Sequence, residues 1–259
     1  MVKAKHISYS ELVDWVKCPH YHKKKKIEKV APFEGNEYTA FGSAIHDVCE
    51  KKLLKEDIDE AEVFEIGFNK NLKKLEDENL SFNEMNVENM RIAGPAILGE
   101  VDEALRDYFG EYEVYSTEEM LYVPIEDFDI FFKGFVDAVI KVGDTYHLFD
   151  WKTCGWGWDS KKKSNKLTTY QLTLYKHFFC QKHKIPTESV ETHFALLKRT
   201  AKKDRVEIFR VTSGPKKTEN ALKLLYQAIY NISKKISLKN RLNCTKPYKC
   251  SLHRTEHCR

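Results

Sequence analysis

Three side chains able to take part in metal or acid–base chemistry lie close together in the middle of the chain: Asp137, Asp150 and Lys152. A pair of carboxylates can hold Mg²⁺ or Mn²⁺, since both ions prefer oxygen ligands. Such an ion lowers the pKa of a bound water and neutralises negative charge on a phosphate, and a lysine can orient the water or stabilise the transition state. These residue types therefore suit metal-assisted hydrolysis of a phosphodiester.

The surrounding sequence predicts a hairpin that positions these side chains. The runs 130–142 and 145–152 are rich in β-branched and aromatic residues, and Val142-Gly143-Asp144-Thr145 joins them as a tight turn. Because side chains alternate along a strand, Asp150 and Lys152 share one face and the neighbouring aromatic residues take the other. The alternative is a surface hairpin with an Asp–Lys ion pair, which would have little energetic or functional weight.

Four short motifs follow one another along the chain: Gly42-x-x-x-His46, Gly134-x-x-Asp137, Asp150-x-Lys152 and Gln171-x-x-x-Tyr175. Their order and spacing resemble the RecB-like branch of the PD-(D/E)XK nuclease superfamily, which includes CRISPR-associated and phage-encoded RecB-like exonucleases. The motifs span residues 42–175, and flanking cysteines extend the resemblance to nearly the whole chain. Two features depart from the family pattern: the third acidic position is Asp rather than the commoner Glu, and the C-terminal cysteines are spread more widely.

The resemblance implies a ligand set for one catalytic ion. Asp137 and Asp150 would bind Mg²⁺ or Mn²⁺, with His46 as a nitrogen ligand and the Trp151 carbonyl completing the coordination. A nitrogen ligand favours Mn²⁺ somewhat more than an all-oxygen site does. The alternative for His46 is a structural histidine on its helix, since most isolated histidines on helices have that role.

The remaining motif residues would act on the substrate. By the resemblance, Lys152 acts on the attacking water or the phosphate, and Gln171 and Tyr175 position the DNA strand or support the catalytic groups. Ordinary helix packing is the alternative for Tyr175. Glu119 precedes the hairpin at about the place where relatives often carry a further acidic residue, and an exposed edge-strand glutamate is the alternative there.

A second candidate site involves four cysteines near the chain ends: Cys18, Cys244, Cys250 and Cys258. In several RecB-like relatives, one N-terminal and three C-terminal cysteines bind a [4Fe-4S] cluster that joins the chain ends, and four thiolates are the usual ligand set of such a cluster. The spacing in the tail 244–258 is looser than in those relatives. His253 and His257 offer a Cys/His site for Zn²⁺ instead, and free thiols are the third alternative.

Two basic segments carry aromatic residues, which is the composition of a nucleic-acid surface. The first is a run of four lysines before residue 27, for which a solvated helix face is the alternative. The second is the loop after the hairpin, whose tryptophans could instead fill the core. The candidate DNA-binding residues are Lys24, Lys25, Trp156, Trp158, Lys161 and Lys162.

Composition sets broad limits on the kind of protein. The 259 residues are 42% hydrophobic, which is enough to bury the core of a single domain, and 43 basic residues against 39 acidic ones give a net charge of only +4. Overall charge therefore says little about partners. No run of 18 apolar residues and no signal-peptide core occurs, so we expect a cytoplasmic protein without a membrane partner, encoded by a cell or by a virus acting inside one.

Periodicity predicts an α/β sheet flanked by helices. The resemblance implies that this is a restriction-endonuclease-like mixed sheet in a single PD-(D/E)XK nuclease domain over 1–259. Residues 57–110 form an inserted helical lobe that would narrow access to the site, with an interruption near Gly94-Pro95. The other predicted elements are helices over 8–16, 37–54, 168–182 and 215–235, an edge strand over 112–125, and strands over 190–198 and 205–211.

We therefore expect a divalent-metal-dependent DNA nuclease, an exonuclease or flap-type enzyme acting on single strands or DNA ends in recombination, repair, phage DNA processing or CRISPR adaptation. The alternative is a catalytically silent nucleic-acid-binding subunit of a recombination or adaptation complex. The complete Asp-Asp-Lys set argues against a loss of catalysis. Restriction-type cleavage of double strands ranks below both, because the sequence contains no visible specificity module.

Overall fold

A computed structural model describes residues 5–245 and 249–259, so part of the cysteine-containing tail, 246–248, lies outside the described residues. A short π-helical segment, Lys23–Ile27, follows the second helix. The helices are α1 (Tyr9–Lys17), α2 (Pro19–His22), α3 (Glu37–Leu53), α4 (Glu60–Asp77), α5 (Glu84–Phe109), α6 (Ser160–Lys163), α7 (Lys166–His183) and α8 (Pro215–Ser233). The strands are β1 (His6–Ser8), β2 (Glu113–Pro124), β3 (Phe131–Val142), β4 (Thr145–Cys154), β5 (Val190–Lys198) and β6 (Val206–Arg210).

The strands form a six-stranded mixed sheet in the order β1-β3-β4-β5-β6, with β2 also paired to β3. The β3–β4 and β5–β6 pairs are antiparallel, whereas β1–β3 and β4–β5 are parallel. This arrangement confirms the predicted α/β class with a mixed, restriction-endonuclease-like sheet flanked by helices. Strand β1 was not predicted, because three residues are too few to show alternation.

The predicted hairpin is present, and its strand register determines where the acidic residues lie. Val142 pairs with Thr145 across a two-residue turn, and Gly143 adopts φ +57°, a conformation that glycine reaches without steric cost. The paired register continues to Ala138 opposite Phe149. Asp137 and Asp150 are the next residues of the two strands beyond that last pair, so both acidic residues come to one end of the paired ladder.

The described residues divide into two compact units. The larger comprises Gly35–Met120 and Phe135–Ser213, and the smaller comprises the chain up to Glu34, Leu121–Gly134 and the chain from Gly214 on. In the smaller unit, α1 packs on α8, and Ser8 accepts a hydrogen bond from the N–H of Glu11 at the start of α1. Within the part of the chain that the structure describes, none of the helices is long and apolar enough to cross a membrane.

One hydrophobic core fills the larger unit between α3, α4, α5 and one face of the sheet. Its largest side chains are fully buried aromatics, and burying each contributes on the order of 1.5–3 kcal/mol. The rings of Phe64 and Phe68 stack with centroids 5.5 Å apart, and Phe41 meets both edge-on. Phe149 and Trp151 extend the core onto β4. This core holds one face of β4 in place, so that the opposite face can carry polar groups.

The predicted interruption near Gly94-Pro95 was wrong. Helix α5 runs without a break from Glu84 to Phe109 with Pro95 inside it, and the chain turns earlier, between Asp77 and Glu84. At Gly94 a β-carbon would lie 2.4 Å from the ring of Phe64, so the missing side chain admits this ring. Close packing outweighs the single hydrogen bond that a proline removes from a helix.

Candidate active site

The carboxylates of Asp137 and Asp150 are held by different partners at the end of the hairpin. Asp137 Oδ2 accepts a hydrogen bond from the backbone N–H of Trp151 at 2.6 Å, and Asp150 Oδ1 accepts one from Gln171 Nε2 at 2.7 Å. Asp150 is only 2% exposed, and its Oδ2 forms an ion pair with Lys152 Nζ and accepts no other hydrogen bond. The structure therefore brings the three hairpin residues predicted to carry the chemistry into one polar cluster.

His46 reaches this cluster from α3. Its Nδ1 lies 3.6 Å from Asp137 Oδ2, and the ring hydrogen-bonds to the backbone of Trp151. One turn earlier, a β-carbon at Gly42 would lie 3.2 Å from Thr153 Oγ1, which is tighter than ordinary contact. The missing side chain at this position therefore lets α3 approach the end of β4, and this approach is what places the imidazole beside the carboxylate.

Helix α7 supplies the fourth motif from the other side of β4. Gln171 and Tyr175 lie one turn apart, and Gln171 Nε2 also donates to the Tyr175 hydroxyl at 3.3 Å. Tyr175 is buried, and burial together with the nearby charge of Asp150 raises its pKa well above the usual range. The phenol is therefore neutral at any working pH. Through Gln171, this pair fixes the orientation of the Asp150 carboxylate.

Burial and mutual repulsion determine the protonation of the cluster. Burial, and after it the charge of Asp150, raises the pKa of Asp137 well above its ordinary value. Burial alone would lower the pKa of Lys152, but the charges of Asp150 and Asp137 outweigh this effect and raise it. Burial lowers the pKa of His46 to about 4, so its imidazole is neutral at pH 7. The cluster thus holds opposed carboxylates, one cation and an imidazole with a lone pair available.

These residues fit a divalent cation in type and in charge. Facing carboxylates repel each other unless a cation lies between them, and the Asp150 oxygen without a hydrogen bond is available as a ligand. Among the described residues, the ligand atoms of His46, Asp137 and Asp150 do not all lie within 4.8 Å of one another. Closing around an ion therefore requires at least one of these side chains to move.

An exposed glutamate on β2, which the sequence reasoning missed, lies close enough to the cluster to affect its charges. The charge of Glu118 contributes to the raised pKa of Asp137, and the pKa of Glu118 itself is raised by burial, by Glu50 and by Asp150. Glu118 has φ +44°, which is uncommon for a residue with a side chain. The neighbouring Glu119, named from the resemblance as a further acidic residue, instead binds Lys182 Nζ and His183 Nε2, each at 2.7 Å.

An irregularity in β2 explains why the sequence pattern does not distinguish Glu118 from Glu119. Regular alternation along β2 would place every second residue on the same face, but Ser116 and Thr117 are both half-buried, so the alternation shifts by one residue there. Glu118 lies beside this shift, and knowing where the alternation shifts would have identified it. The sequence alone does not reveal the shift.

Comparison with known proteins identifies the family. A model of the PD-(D/E)XK nuclease superfamily matches residues 6–258. The chain belongs to the PD-(D/E)XK nuclease superfamily. Membership implies a nuclease that acts on nucleic acid with divalent metal ions, in agreement with the residue types at the hairpin end.

A solved structure shares the fold at low sequence identity. A protein from Eubacterium rectale named "Putative exonuclease" is 14% identical, with a TM-score of 0.62 over 97% of this chain and 89% of that chain. A structure named SSO0001 is 13% identical over 85% of both chains, with a TM-score of 0.35. No curated protein matches the sequence significantly. The first of these similarities extends over nearly the whole PD-(D/E)XK chain.

The two lysines predicted to bind DNA near the N-terminus of this PD-(D/E)XK protein have acidic partners within the smaller unit. Lys24 Nζ lies 2.6 Å from Glu28, and Lys25 Nζ lies 3.3 Å from Asp14 and 3.2 Å from Glu34. Their charges are therefore largely neutralised before any nucleic acid binds.

The two tryptophans in the loop after the hairpin lie in different environments. Trp156 is 78% exposed, whereas Trp158 packs edge-on against Phe194, with ring centroids 5.1 Å apart. Lys162 Nζ lies 4.6 Å from the centre of the Trp158 ring, and Lys161 is exposed. Only one of the two rings thus offers a free face to a ligand, while the lysines beside it remain accessible.

The four predicted cluster cysteines line one small cavity in the smaller unit, together with Tyr21 and Leu252. All four are free thiols. Burial raises the pKa of Cys244, and the charges of the other three cysteines raise it further. His253 and His257, the alternative zinc ligands, are not among the described residues that line the cavity. The sequence-distant thiols are thus brought to one place.

We expect the variant Asp137→Asn to be more stable than the wild type in EDTA at pH 7.5, by up to about 1 kcal/mol, the scale of one cross-strand pair. The raised pKa of Asp137 means that the wild type loses stability as pH rises through the folded-state value, whereas asparagine carries no charge. The stability difference between Asp137→Asn and the wild type should shrink as pH falls through the folded-state pKa of Asp137. Chemical denaturation measures it, with Asp144→Asn in the exposed turn as control, and a less stable Asp137→Asn protein at pH 7.5 would contradict the analysis.

The adjacent glutamates give a matched pair of variants. Glu118→Gln should weaken activation of the nuclease by a divalent ion, raising the half-saturating metal concentration by about 3–10-fold, because it removes a negative charge near the cluster. Glu119→Gln should leave this concentration unchanged, since Glu119 binds Lys182 and His183 instead. Cleavage rates measured across a Mn²⁺ titration test both, and equal effects of the two substitutions would refute the assignment of Glu118.

Proposed function

We propose that this protein is a Mg²⁺- or Mn²⁺-dependent deoxyribonuclease of the RecB-like branch, working as an exonuclease on single strands or DNA ends. The observation that carries the proposal is the convergence of Asp137, Asp150 and Lys152 at one end of the β3–β4 hairpin, with His46 beside them. A surface hairpin with one ion pair would not bury Asp150 or place an imidazole 3.6 Å from Asp137.

Asp137, Asp150, His46 and the Trp151 carbonyl would hold the ion in this proposal. When bound, a divalent ion lowers the pKa of water and neutralises charge on the scissile phosphate. Asp137 keeps its hydrogen bond to the Trp151 N–H, which fixes one carboxylate while the other adjusts.

Lys152 would exchange partners during the reaction. Its ion pair with Asp150 keeps the ammonium charged and close to the reacting groups. With Asp150 among the residues that would hold the ion, the Lys152 ammonium would orient the attacking water or stabilise negative charge on the phosphate. Gln171 limits movement of the Asp150 carboxylate, because its hydrogen bond to Oδ1 anchors one oxygen. Tyr175 supports Gln171 from the helix side.

The substrate would be a DNA strand that leaves the site along the loop after β4. Trp156 offers an exposed ring for stacking on a base, and Lys161 and Lys162 lie in the same loop as partners for phosphates. Trp158 would act indirectly, by packing the loop against Phe194. Lys24 and Lys25 make a smaller contribution in this proposal, since binding a phosphate would compete with their carboxylate partners.

Asp150→Asn and Lys152→Ala should each reduce Mn²⁺-dependent cleavage of end-labelled single-stranded DNA by about a thousandfold or more, because each removes a group that acts on the water or the phosphate. The control is Asp144→Asn, which should cleave like the wild type. Circular single strands test the exonuclease mode, since they have no end to attack. Wild-type-level cleavage by either folded variant would overturn the catalytic assignment, and an inactive wild type would favour a silent binding subunit.

We propose further that Cys18, Cys244, Cys250 and Cys258 bind a [4Fe-4S] cluster. A single Zn²⁺ holds sulfur at about 2.3 Å, so two sulfurs on one ion cannot be more than about 4.6 Å apart. Among these four described cysteines, no three sulfurs lie within 4.8 Å of one another. The wider separation favours ligands on different irons of a larger cluster over ligands on one zinc ion.

Anaerobically purified protein should be brown, with a broad absorption band near about 400 nm and about four irons per chain. Cys250→Ser should lose most of this absorbance and iron, because one thiolate ligand is missing. Cys154→Ser removes a cysteine outside the cavity and should keep both. Colourless wild-type protein without iron would contradict the cluster.

A further inference from the structure

Two histidines and a glutamate come together on β4 and β5, away from the residues of the active site. His147 on β4 is paired in register with Glu191 on the parallel strand β5, and His193 follows two residues later on the same face. His147 Nδ1 lies 3.1 Å from His193 Nε2. Glu191 Oε2 lies 3.7 Å from the first nitrogen and 3.8 Å from the second. Three potential ligand atoms therefore face one another within a small triangle.

The size of this triangle matches a first-row metal ion. A point equidistant from three atoms with these separations lies about 2.1 Å from each, and Zn²⁺ binds imidazole nitrogen and carboxylate oxygen at about 2.0–2.2 Å. An ion slightly above the plane of the triangle would still meet these distances. The three ligand atoms already lie within 4.8 Å of one another, in contrast to those of His46, Asp137 and Asp150. The site is preformed.

Neighbouring groups hold the ligands in this orientation. Arg210 Nη2 binds the other oxygen of Glu191, Oε1, at 2.9 Å, which leaves Oε2 facing the two rings. The ring of Phe109 lies 5.1 Å from that of His147 and 5.2 Å from that of His193. Metal sites typically have such surroundings. The arginine orients the ligating carboxylate, and apolar rings enclose the imidazoles.

An ordinary ion pair does not explain the cluster. Arg210 already supplies the positive charge that pairs with Glu191, and it does so through Oε1. One hydrogen bond between the rings accounts for their 3.1 Å contact but not for the carboxylate oxygen beside both of them.

We propose that His147, Glu191 and His193 bind one Zn²⁺ ion at a site separate from the nuclease centre. The side chain of Glu191 is 25% exposed and that of His147 is 12% exposed, so water can supply the fourth ligand from solvent. The ion would join β4 to β5 near the beginning of both strands. Because β4 also carries Asp150 and Lys152, the zinc would stabilise the strand on which the catalytic residues lie.

Zinc content tests the site directly. Equilibrium dialysis of purified protein against buffered Zn²⁺, followed by metal analysis, should give one equivalent fewer in His147→Gln and in Glu191→Gln than in the wild type. Glu191→Gln keeps the shape of the side chain, so it remains informative if His147→Gln misfolds. The matched control is His183→Gln, which removes a histidine paired with a single glutamate and should leave the zinc content unchanged.

Cobalt separates this site from the cysteine cavity. Co²⁺ bound by two imidazoles and a carboxylate gives visible ligand-field bands without the thiolate charge-transfer absorption that cysteine ligands add. The wild type should show these bands and His147→Gln should lack them. Zinc at about 100-fold excess over its dissociation constant should also raise the melting temperature of the wild type by about 5 °C or more, and not that of either site variant.

Two results would overturn the zinc site: equal zinc content in the wild type and in folded Glu191→Gln protein, or cobalt spectra that the substitutions do not change. The Asp150→Asn protein should still bind one zinc ion at this site. The zinc result and the nuclease result can therefore fail independently.

Discussion

Opposition of two carboxylates at the end of one hairpin is the constraint on which the rest of the structure depends. Asp137 and Asp150 lie just beyond the last paired residues of the two strands, and burial, followed by the charge of Asp150, raises the pKa of Asp137. A shift of one residue would relieve the repulsion, but it would also move Phe149 and Trp151 out of the core. Hydrophobic burial on one face therefore imposes an unfavourable electrostatic arrangement on the other.

The groups around the carboxylates each offset part of that cost. The Trp151 N–H stabilises one carboxylate, while Lys152 and Gln171 each bind one oxygen of the other. The compensation is incomplete, because the pKa of Asp137 is still raised. A site that remains electrostatically unsatisfied without a cation has a built-in affinity for one, and the same imbalance makes the site costly to the fold.

Much of the fold and of the site could be predicted from local pattern. The hairpin, the helix carrying His46 and the helix carrying Gln171 all have clear periodicity, so their motif residues could be placed on elements before the structure was known. Glu118 could not be found in this way, because the alternation of β2 shifts at Ser116 and Thr117. The partners of Lys24 and Lys25 were equally hidden, since Asp14 and Glu34 approach them only through the tertiary fold. Patterns within one element can be recognised in the sequence, whereas contacts between side chains of different elements cannot.

Strand β4 shows how alternation can separate two kinds of ligand chemistry. Its polar face carries Asp150 and Lys152, and the opposite face carries His147 ahead of Phe149 and Trp151. Carboxylate and carbonyl oxygens suit Mg²⁺ or Mn²⁺, whereas imidazoles enclosed by aromatic rings suit Zn²⁺. Because side chains of opposite parity cannot reach the same ion, the two ligand sets do not compete for one metal. One extended segment can therefore hold a mobile, charge-rich site and a preformed, nitrogen-rich site within a few residues.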